Sequence, residues 1–333
     1  MSKIFPVLER RAWERAGPTD LIELPVPDNH PIYVAKSFLQ MLVAAITGAE
    51  MTHLSGPSGT AKSALIEALH LHPETFPALC AGMQIEPRPL VVHTVETATY
   101  ESPGELFFRR AVKDGCTWDE PSRLVEAIES ATRAKEEYPL IWLREIGRCH
   151  ASAVQGGLLN LMVRGEIALP DGRRLDGRGI AWLADSNYQA VDDLHTLVAF
   201  DDALRRRFSV NLTLDHLGAE QEMAVLLALL GQEGAVHSPE RALIASVVKL
   251  GAQIRHHRAE GQLSSAVPPT LYGYLAFLRM ARALPQTEAR EIARHTLLGN
   301  ISTADRQLAQ GILSEVWGLN LETEVTDTVG ATF

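Results

Sequence analysis

The sequence predicts an α/β protein, with a five-stranded parallel sheet sandwiched by helices and an all-helical region after it. Apolar runs of strand length alternate with helical patterns as far as Asp215, whereas only helical patterns follow that residue. The first of these runs leads into a glycine- and serine-rich stretch, Ser55–Gly59, and a helical pattern begins soon after it. Such alternation is typical of a sheet whose two faces are both covered by helices.

Each strand is predicted from a short apolar run, and each helix from apolar residues three and four positions apart. The five predicted strands are Met51–Leu54, Leu90–Val95, Leu140–Leu143, Ile180–Ala184 and Val210–Leu214. The helices predicted before Asp215 are Ile32–Ile46, Ser63–Leu71, Leu124–Lys135 and Val154–Met162. The helices predicted after it cover residues 218–231, 239–258, 270–284 and 287–315. A Pro-Asp-Gly turn between apolar residues also predicts a β-hairpin within Gly165–Leu175.

These patterns divide the chain into four segments. We expect an irregular N-terminal arm at residues 1–20, an α/β domain at 21–215, a helical lid domain at 216–315 and a C-terminal tail at 316–333. A chain of 333 residues is long enough for two domains, or for one large domain with an added lobe.

Composition excludes several classes of protein. With 46% hydrophobic and 22% charged residues, the chain is neither disordered nor collagen-like. No apolar run approaches the length of about 18 residues that a membrane helix needs, so we expect no membrane span. Three widely separated cysteines favour reduced thiols, which suits a cytoplasmic protein. The net charge of −10 makes nucleic acid an unlikely partner.

The glycine- and serine-rich stretch has the spacing of a phosphate-binding loop. It reads Gly56-Pro57-Ser58-Gly59-Thr60-Ala61-Lys62-Ser63, which matches GxxxxGK followed by Ser or Thr except at Ala61. Successive backbone N–H groups of such a loop, at the start of a helix, form a cradle for anions. Lys62 would reach the β- and γ-phosphates, and the Ser63 hydroxyl would ligate Mg²⁺. The loop therefore predicts binding of ATP or ADP with Mg²⁺, and Ala61 is expected to have helical backbone angles.

Phosphoryl transfer also needs acids at the end of another buried strand, where they hold Mg²⁺ and polarise water. The strand Leu140–Leu143 ends in Arg144 and Glu145, so an arginine stands where the first acid is expected. Glu145 is the predicted catalytic base. Because Arg144 cannot hold Mg²⁺, we expect weak hydrolysis unless Asp185 or Glu96 compensates for it.

Two further elements complete the predicted site. The strand at Ile180–Ala184 leads to Asn187, whose amide could orient the attacking water. Arg205, Arg206 and Arg207 precede the last strand, and an arginine from a neighbouring subunit can stabilise charge on a transferred phosphoryl group. A solvated surface is the alternative interpretation of this arginine run.

Taken in order, these motifs resemble those of AAA+ ATPases of the MoxR-like group, including the CbbQ/NorQ type, over residues 20–300 or so. The phosphate loop resembles the Walker A motif of that group, and Leu143–Arg148 resembles its Walker B motif, with Glu145 at the position of the base. Gly165–Leu175 resembles its hairpin before sensor 1, and Asn187 matches sensor 1. Ala203–Phe208 resembles its arginine-finger segment, which McrB-like GTPases share.

The resemblance implies an AAA+ P-loop core with a helical lid, assembled as a homo-oligomeric ring, most often a hexamer, with ATP at the subunit interfaces. It implies that Lys62, Glu145, Asn187, Arg206 and Arg207 are catalytic. The implied activity is chaperone-like, the remodelling or activation of a partner protein, often one with a von Willebrand A domain.

Two departures from the family pattern leave alternatives open. Arg144 replaces the Walker B aspartate, and no arginine lies between Arg258 and Arg279, where the family usually has its sensor 2 arginine. One alternative is a nucleotide-binding ring subunit with weak or no hydrolysis, which acts as a switch or scaffold. The second is a nucleic-acid-directed motor of a defence system, suggested by the McrB-like arginine segment.

Overall fold

A computed structural model describes residues 20–26, 31–148, 152–169, 172–187, 202–233, 236–263, 268–299 and 301–318. The chain divides into two compact units, Met1–His216 and Leu217–Phe333. Nearly all of the expected arm at 1–20, the tail beyond Gly318, and the hairpin-turn residues Pro170 and Asp171 lie outside the described residues.

The first unit contains all the strands of the described residues. They are β1 (Leu21–Leu24), β2 (Ile32–Ala35), β3 (Met51–Gly56), β4 (Leu90–Glu96), β5 (Phe108–Lys113), β6 (Cys116–Pro121), β7 (Tyr138–Arg144), β8 (Glu166–Ala168), β9 (Arg174–Asp176), β10 (Ala181–Asn187) and β11 (Val210–Thr213). Its helices are α1 (Lys36–Thr47), α2 (Lys62–Leu71), α3 (Thr75–Gly82), α4 (Arg123–Arg133), α5 (Ser152–Arg164) and the short α6 (Asp202–Arg205).

Five parallel strands form the central sheet in the order β11-β3-β10-β7-β4, which confirms the predicted fold class. Numbered along the chain, these strands lie in the order 5-1-4-3-2, so the first strand has the fourth and fifth as its neighbours. Because parallel strands have their carboxyl ends at one edge, the segments that follow β3, β7 and β10 meet there.

Both faces of this sheet are buried, which explains why its strands are continuously apolar. On one face, Leu140, Trp142 and Leu183 pack against helices α1, α2 and α3. On the other, Ile141 and Leu143 pack against helices α4 and α5. The alternation of consecutive β7 residues between the two cores fixes the register of the strand, because a shift of one residue would exchange the faces.

Two small antiparallel pairs accompany the sheet. The pair β8–β9 confirms the hairpin predicted within Gly165–Leu175. The pair β5–β6 was not predicted, and its two-residue turn at Asp114 and Gly115 has positive φ angles of 53° and 77°. An Asp-Gly turn of this kind is well suited to a tight hairpin.

The expected helix at Ile32–Ile46 begins later than its periodicity suggests. Residues Ile32–Ala35 form β2, which pairs with β1, and the helix α1 starts at Lys36. Within β2, Ile32 and Val34 are buried whereas Tyr33 and Ala35 are half-buried, which is the two-residue alternation of a strand. Pairing with a distant segment therefore overrides the helical pattern of these four residues.

The second unit is helical throughout its described residues. Its helices are α7 (Ala219–Glu233), α8 (Ser238–Ala259), α9 (Leu271–Ala283), α10 (Ala289–Thr296) and α11 (Thr303–Gly318). The single helix expected at 287–315 is therefore two helices, because Leu297, Leu298 and Ile301 are buried in the segment that separates them. None of the helices in the described part of either unit is long and apolar enough to cross a membrane.

A buried ion pair joins three helices of this unit. Arg255 of α8 donates to both carboxylate oxygens of Glu222 on α7, at 2.9 Å each, and to Tyr274 Oη of α9 at 3.2 Å. The side chain of Glu222 is only 3% exposed. The close approach depends on Gly251, where a Cβ atom would lie 1.6 Å from Tyr274 Oη.

Candidate functional site

The loop that joins β3 to α2 has the backbone of an anion cradle. Its first residue, Gly56, has φ 155°, and a Cβ atom there would lie 2.2 Å from the carbonyl oxygen of Leu214. Gly59 has φ 82°, in the region that favours glycine. Thr60 Oγ1 donates to the Pro57 carbonyl at 3.0 Å, which closes the loop on itself. The two glycines are therefore required by close approach and by backbone angle.

Ala61 does not have the helical angles that we expected. Its φ and ψ are 65° and 25°, in the left-handed region, and α2 begins at the next residue. This region brings Cβ close to the following carbonyl and costs a residue other than glycine about 1 kcal/mol. The motif has glycine at this position for that reason, and here alanine is held in the same conformation by the surrounding loop.

Lys62 turns its ammonium group back over the loop. Nζ donates to the carbonyls of Gly56 at 2.9 Å and Pro57 at 2.7 Å, and to Asn187 Oδ1 at 2.9 Å. The residue is only 7% exposed. Burial lowers the pKa of Lys62, and the charges of Asp185 and Glu145 act in the opposite direction.

The surroundings of Lys62 fit an anionic ligand. Among the described residues no carboxylate lies within salt-bridge distance of Nζ, so the buried cation is held only by neutral oxygens. A buried charge without a counter-ion is costly, and an incoming phosphate would supply one. The loop and its lysine therefore suit a nucleoside phosphate.

Asn187 reaches the loop because β10 lies next to β3. In this parallel pair Asn187 is opposite Gly56, the first residue of the loop. The predicted sensor side chain and the predicted phosphate-binding lysine therefore meet directly, although 125 residues separate them in the chain.

Glu145 follows β7 at the same edge of the sheet. Its φ of 51° is unusual for a residue that is not glycine, and its backbone N–H donates to Asp185 Oδ1 at 3.3 Å. Its carboxylate lies 3.5 Å from Arg148 Nε. Strained backbone of this kind is found where the surrounding structure fixes a functional side chain.

Arg144 is directed away from Glu145, toward the neighbouring strand β4. Its guanidinium lies 2.7 Å from Glu96 Oε1, and its Cζ atom lies 5.0 Å from the centre of the Trp142 ring. In the parallel ladder Glu96 is directly opposite Arg144. The cation that replaces the expected aspartate is therefore paired with one of the two acids that we considered as compensation for it.

Asp185, the other of these acids, is buried beside Glu145. Its Oδ1 accepts from Trp142 Nε1 at 2.7 Å in addition to the backbone of Glu145, and the residue is only 4% exposed. Burial raises the pKa of Asp185, whereas these hydrogen bonds and the charges of Lys62 and Arg144 lower it.

Arg206 and Arg207 lie on the surface. They follow α6, and the buried side chains of Leu204 and Phe208 anchor the segment on either side of them. Within the described part of the chain, neither guanidinium has an ion pair, and neither contacts the phosphate loop. The structure thus brings together Lys62, Asn187 and the loop near Glu145, but leaves these two arginines outside the group.

His53 is a buried residue near the site that sequence patterns did not single out. Its Nε2 lies 2.8 Å from Ser186 Oγ, next to Asn187 in the chain, and its ring lies 5.6 Å from that of Phe208. Burial and the positive charge of Arg205 lower the pKa of His53 to about 4, so the ring is neutral at neutral pH. A lone histidine within an apolar strand gives no signal by which its contacts could be predicted.

The donors at this edge are oxygens, which suit Mg²⁺. The Ser63 hydroxyl follows Lys62 in the first turn of α2, and the carboxylates of Asp185 and Glu145 lie at the ends of β10 and β7. The described residues contain no group of three or more His, Cys, Asp or Glu side chains that could hold a metal. Mg²⁺ is usually bound through one or two protein ligands together with phosphates and water, so it needs no such group.

Residues 51–208 match the family described as the AAA domain (dynein-related subfamily). The sheet order, the phosphate loop and this match together define a protein of the AAA+ ATPase class.

Two solved structures illustrate the similarity of the whole chain. It is similar to the RuvB Holliday junction branch migration motor of Thermotoga maritima at 12% identity, with a TM-score of 0.43, over 86% of this chain and 69% of that chain. It is similar to NtrX from Brucella abortus in complex with ADP at 14% identity, with a TM-score of 0.38, over 89% of this chain and 68% of that chain. We draw nothing about function from likenesses this distant. No curated protein sequence matches the chain.

Proposed function

We propose that this protein is a MoxR-like, cytoplasmic AAA+ ATPase that binds ATP with Mg²⁺ at the subunit interfaces of a hexameric ring. In this proposal, hydrolysis drives the remodelling or activation of a partner protein, of the kind that carries a von Willebrand A domain. The observation that supports it most strongly is the meeting of Lys62 with Asn187 over the phosphate loop, 2.9 Å apart, beside the strained residue Glu145.

Each of these side chains has a distinct role in the proposed reaction. Lys62 leaves the loop carbonyls and stabilises negative charge on the oxygens between the β- and γ-phosphates. Glu145 polarises the attacking water, and Asn187 orients it. The Ser63 hydroxyl would hold Mg²⁺, which neutralises phosphate charge when bound.

Arg206 and Arg207 are proposed to act on the nucleotide of an adjacent subunit. They are exposed and lack ion pairs among the described residues, whereas the neighbouring Arg205 lies 4.0 Å from Asp202. A guanidinium that reaches the γ-phosphate from outside would stabilise charge that develops during transfer. This role requires assembly, so turnover should depend on protein concentration.

A second candidate is a nucleotide-binding ring subunit that hydrolyses slowly or not at all and acts as a switch or scaffold. The pairing of Arg144 with Glu96 favours it, because neither side chain then provides an acid at the usual Walker B position. Both candidates bind nucleotide, and they differ in turnover.

Steady-state phosphate release, measured over a range of protein concentrations alongside the assembly state, separates the two candidates. The ATPase proposal expects turnover that rises with assembly and is abolished in Glu145→Gln, with Glu136→Gln, an exposed acid, as the matched control. Nucleotide binding by an assembled ring with no measurable turnover would favour the switch. Failure of the wild-type protein to bind ATP or ADP would contradict both candidates.

A further inference from the structure

The strand that should carry the Mg²⁺-associated acid carries a cation instead. Arg144 at the end of β7 is compensated on its β4 side, where Glu96 Oε1 lies 2.7 Å away and the Trp142 ring lies beneath the guanidinium. The side chain of Glu96 is 47% exposed and is committed to this ion pair. The arginine and Glu96 thus form a neutral pair along one side of the strand.

The other side of β7 has the opposite charge. Ala184 of β10 is opposite Leu143 of β7, so that Asp185 comes next to position 144 in the ladder. Asp185 is also opposite Leu54 of β3, two residues before Gly56. Its carboxylate therefore lies between the strand that bears Glu145 and the strand that leads into the phosphate loop.

Trp142 holds both charges in place. Its indole N–H donates to Asp185 Oδ1 at 2.7 Å, and its ring face receives Arg144. The backbone N–H of Glu145 donates to the same Oδ1 at 3.3 Å. No hydrogen bond of Asp185 Oδ2 is found with any residue that the structure describes. One carboxylate oxygen thus fixes the start of the Glu145 turn, and the other is uncommitted.

We propose that Asp185 supplies, from the neighbouring strand, the carboxylate that the Walker B strand lacks at position 144. It acts as a positioning residue: Oδ1 holds the backbone of Glu145, and Oδ2 accepts from water in the shell of nucleotide-bound Mg²⁺. This inference rests on the proposed nucleotide binding. It assigns to β10 a role that the sequence motif assigns to β7.

The physical reason is the cost of a buried carboxylate. Asp185 is 4% exposed, and its hydrogen-bond donors among the described residues are neutral N–H groups. A carboxylate kept in such a place is costly unless a cation compensates it. Lys62 and Arg144 both interact with Asp185 electrostatically, and bound Mg²⁺ would add the remaining positive charge.

Nucleotide affinity with and without Mg²⁺ tests this assignment independently of turnover. The measurement is the Kd of a fluorescent ADP in Mg²⁺ and in EDTA, and the ratio of the two values reports the contribution of Mg²⁺. We expect Asp185→Asn to lower this ratio about 10-fold, as loss of an outer-shell partner of a metal does, and to leave the Kd in EDTA nearly unchanged. Asp119→Asn, an exposed acid on β6, is the matched control and should not change the ratio.

Two further variants place an acid at position 144. Arg144→Asp should change the ratio little in the wild-type background, because Asp185 already supplies the carboxylate. The double variant Arg144→Asp/Asp185→Asn should recover most of the ratio that Asp185→Asn loses. Circular dichroism melts check that each variant folds, and Arg144→Asp decides the matter if Asp185→Asn does not fold.

The outcomes separate this inference from the proposed function. An unchanged ratio in folded Asp185→Asn, or a rise of about 10-fold in Arg144→Asp alone, would overturn the role of Asp185 while nucleotide binding stands. A wild-type protein that binds no nucleotide in either buffer would overturn the proposed function and this inference together.

Discussion

Lys62 and Asn187 meet at 2.9 Å, and this contact joins the phosphate loop to the end of the strand beside it. The same ammonium group donates to two carbonyls of its own loop. Lys62 must exchange these neutral partners for phosphate when nucleotide binds. Its affinity for phosphate is therefore the first property to test.

Lys62→Ala should weaken nucleotide binding by about 1.5–3 kcal/mol, because it removes a charge-assisted hydrogen bond to phosphate. Isothermal titration calorimetry with ADP and Mg²⁺ measures the change. Lys249→Ala removes an exposed lysine of α8 and is the matched control. Equal affinity in the wild-type protein and Lys62→Ala would mean that nucleotide binds elsewhere.

Two variants that are inactive separately should regain ATPase activity when mixed. Glu145→Gln lacks the base but keeps its arginines, and Arg206→Ala/Arg207→Ala lacks the arginines but keeps its base. If the site is shared between subunits, mixed rings contain interfaces with both parts intact. Phosphate release after mixing is the measurement, and Arg241→Ala, an exposed arginine of α8, controls for loss of surface charge. Persistent inactivity of well-mixed rings would exclude a shared site.

Ala61→Gly should stabilise the protein by up to about 1 kcal/mol, because glycine adopts the observed φ of 65° without the alanine strain. Ala64→Gly, inside helix α2, should have the opposite sign and destabilise by about 1 kcal/mol. Urea denaturation of both variants measures the difference. A loss of stability in Ala61→Gly would show that the loop does not strain its alanine.

Acid should weaken the fold through His53. Its folded pKa of about 4 lies below its ordinary value of 6.5, because burial and the charge of Arg205 disfavour the protonated ring. The unfolded chain thus takes up this proton first, so the stability is complete above pH 6.5 and falls as the pH drops toward 4. The full shift corresponds to about 3 kcal/mol.

The measurement is the free energy of unfolding in urea at neutral pH and near pH 4.5. Burial also lowers the pKa of His93, so the comparison must be made between the wild-type protein and His53→Gln. His53→Gln should show a shallower loss of stability in acid. His256→Gln, whose ring is 67% exposed, should retain the wild-type slope. Identical slopes in all three proteins would mean that His53 is protonated in the folded state.

Gly251→Ala should destabilise the second unit by about 2–3 kcal/mol, because its Cβ atom would lie 1.6 Å from Tyr274 Oη. The displaced tyrosine would leave Arg255 with fewer partners in a buried ion pair. Gly311→Ala makes the same change in α11, where nothing lies within 4 Å of the added carbon, and should stabilise by about 0.5–1 kcal/mol. Calorimetric melting temperatures that shift in the same direction would contradict this packing.

Much of the site could be predicted because its parts follow the ends of buried strands. Strand patterns predicted β3, β7 and β10, and parallel strands place their carboxyl ends at one edge. Lys62, Glu145 and Asn187 were therefore expected near that edge. The partners of Arg144 could not be chosen from the sequence, because Glu96 and Asp185 were equally compatible with it until the register placed one on each side of β7.

The sequence by itself determined the α/β class, the five parallel strands and the position of the phosphate loop, because hydrophobic periodicity and motif spacing are local properties of the chain. Only the tertiary structure decided that residues Ile32–Ala35 form a strand, that Ala61 is left-handed, and that Arg144 pairs with Glu96. These features depend on contacts with distant segments. Strand register and burial choose among partners that local patterns leave equivalent.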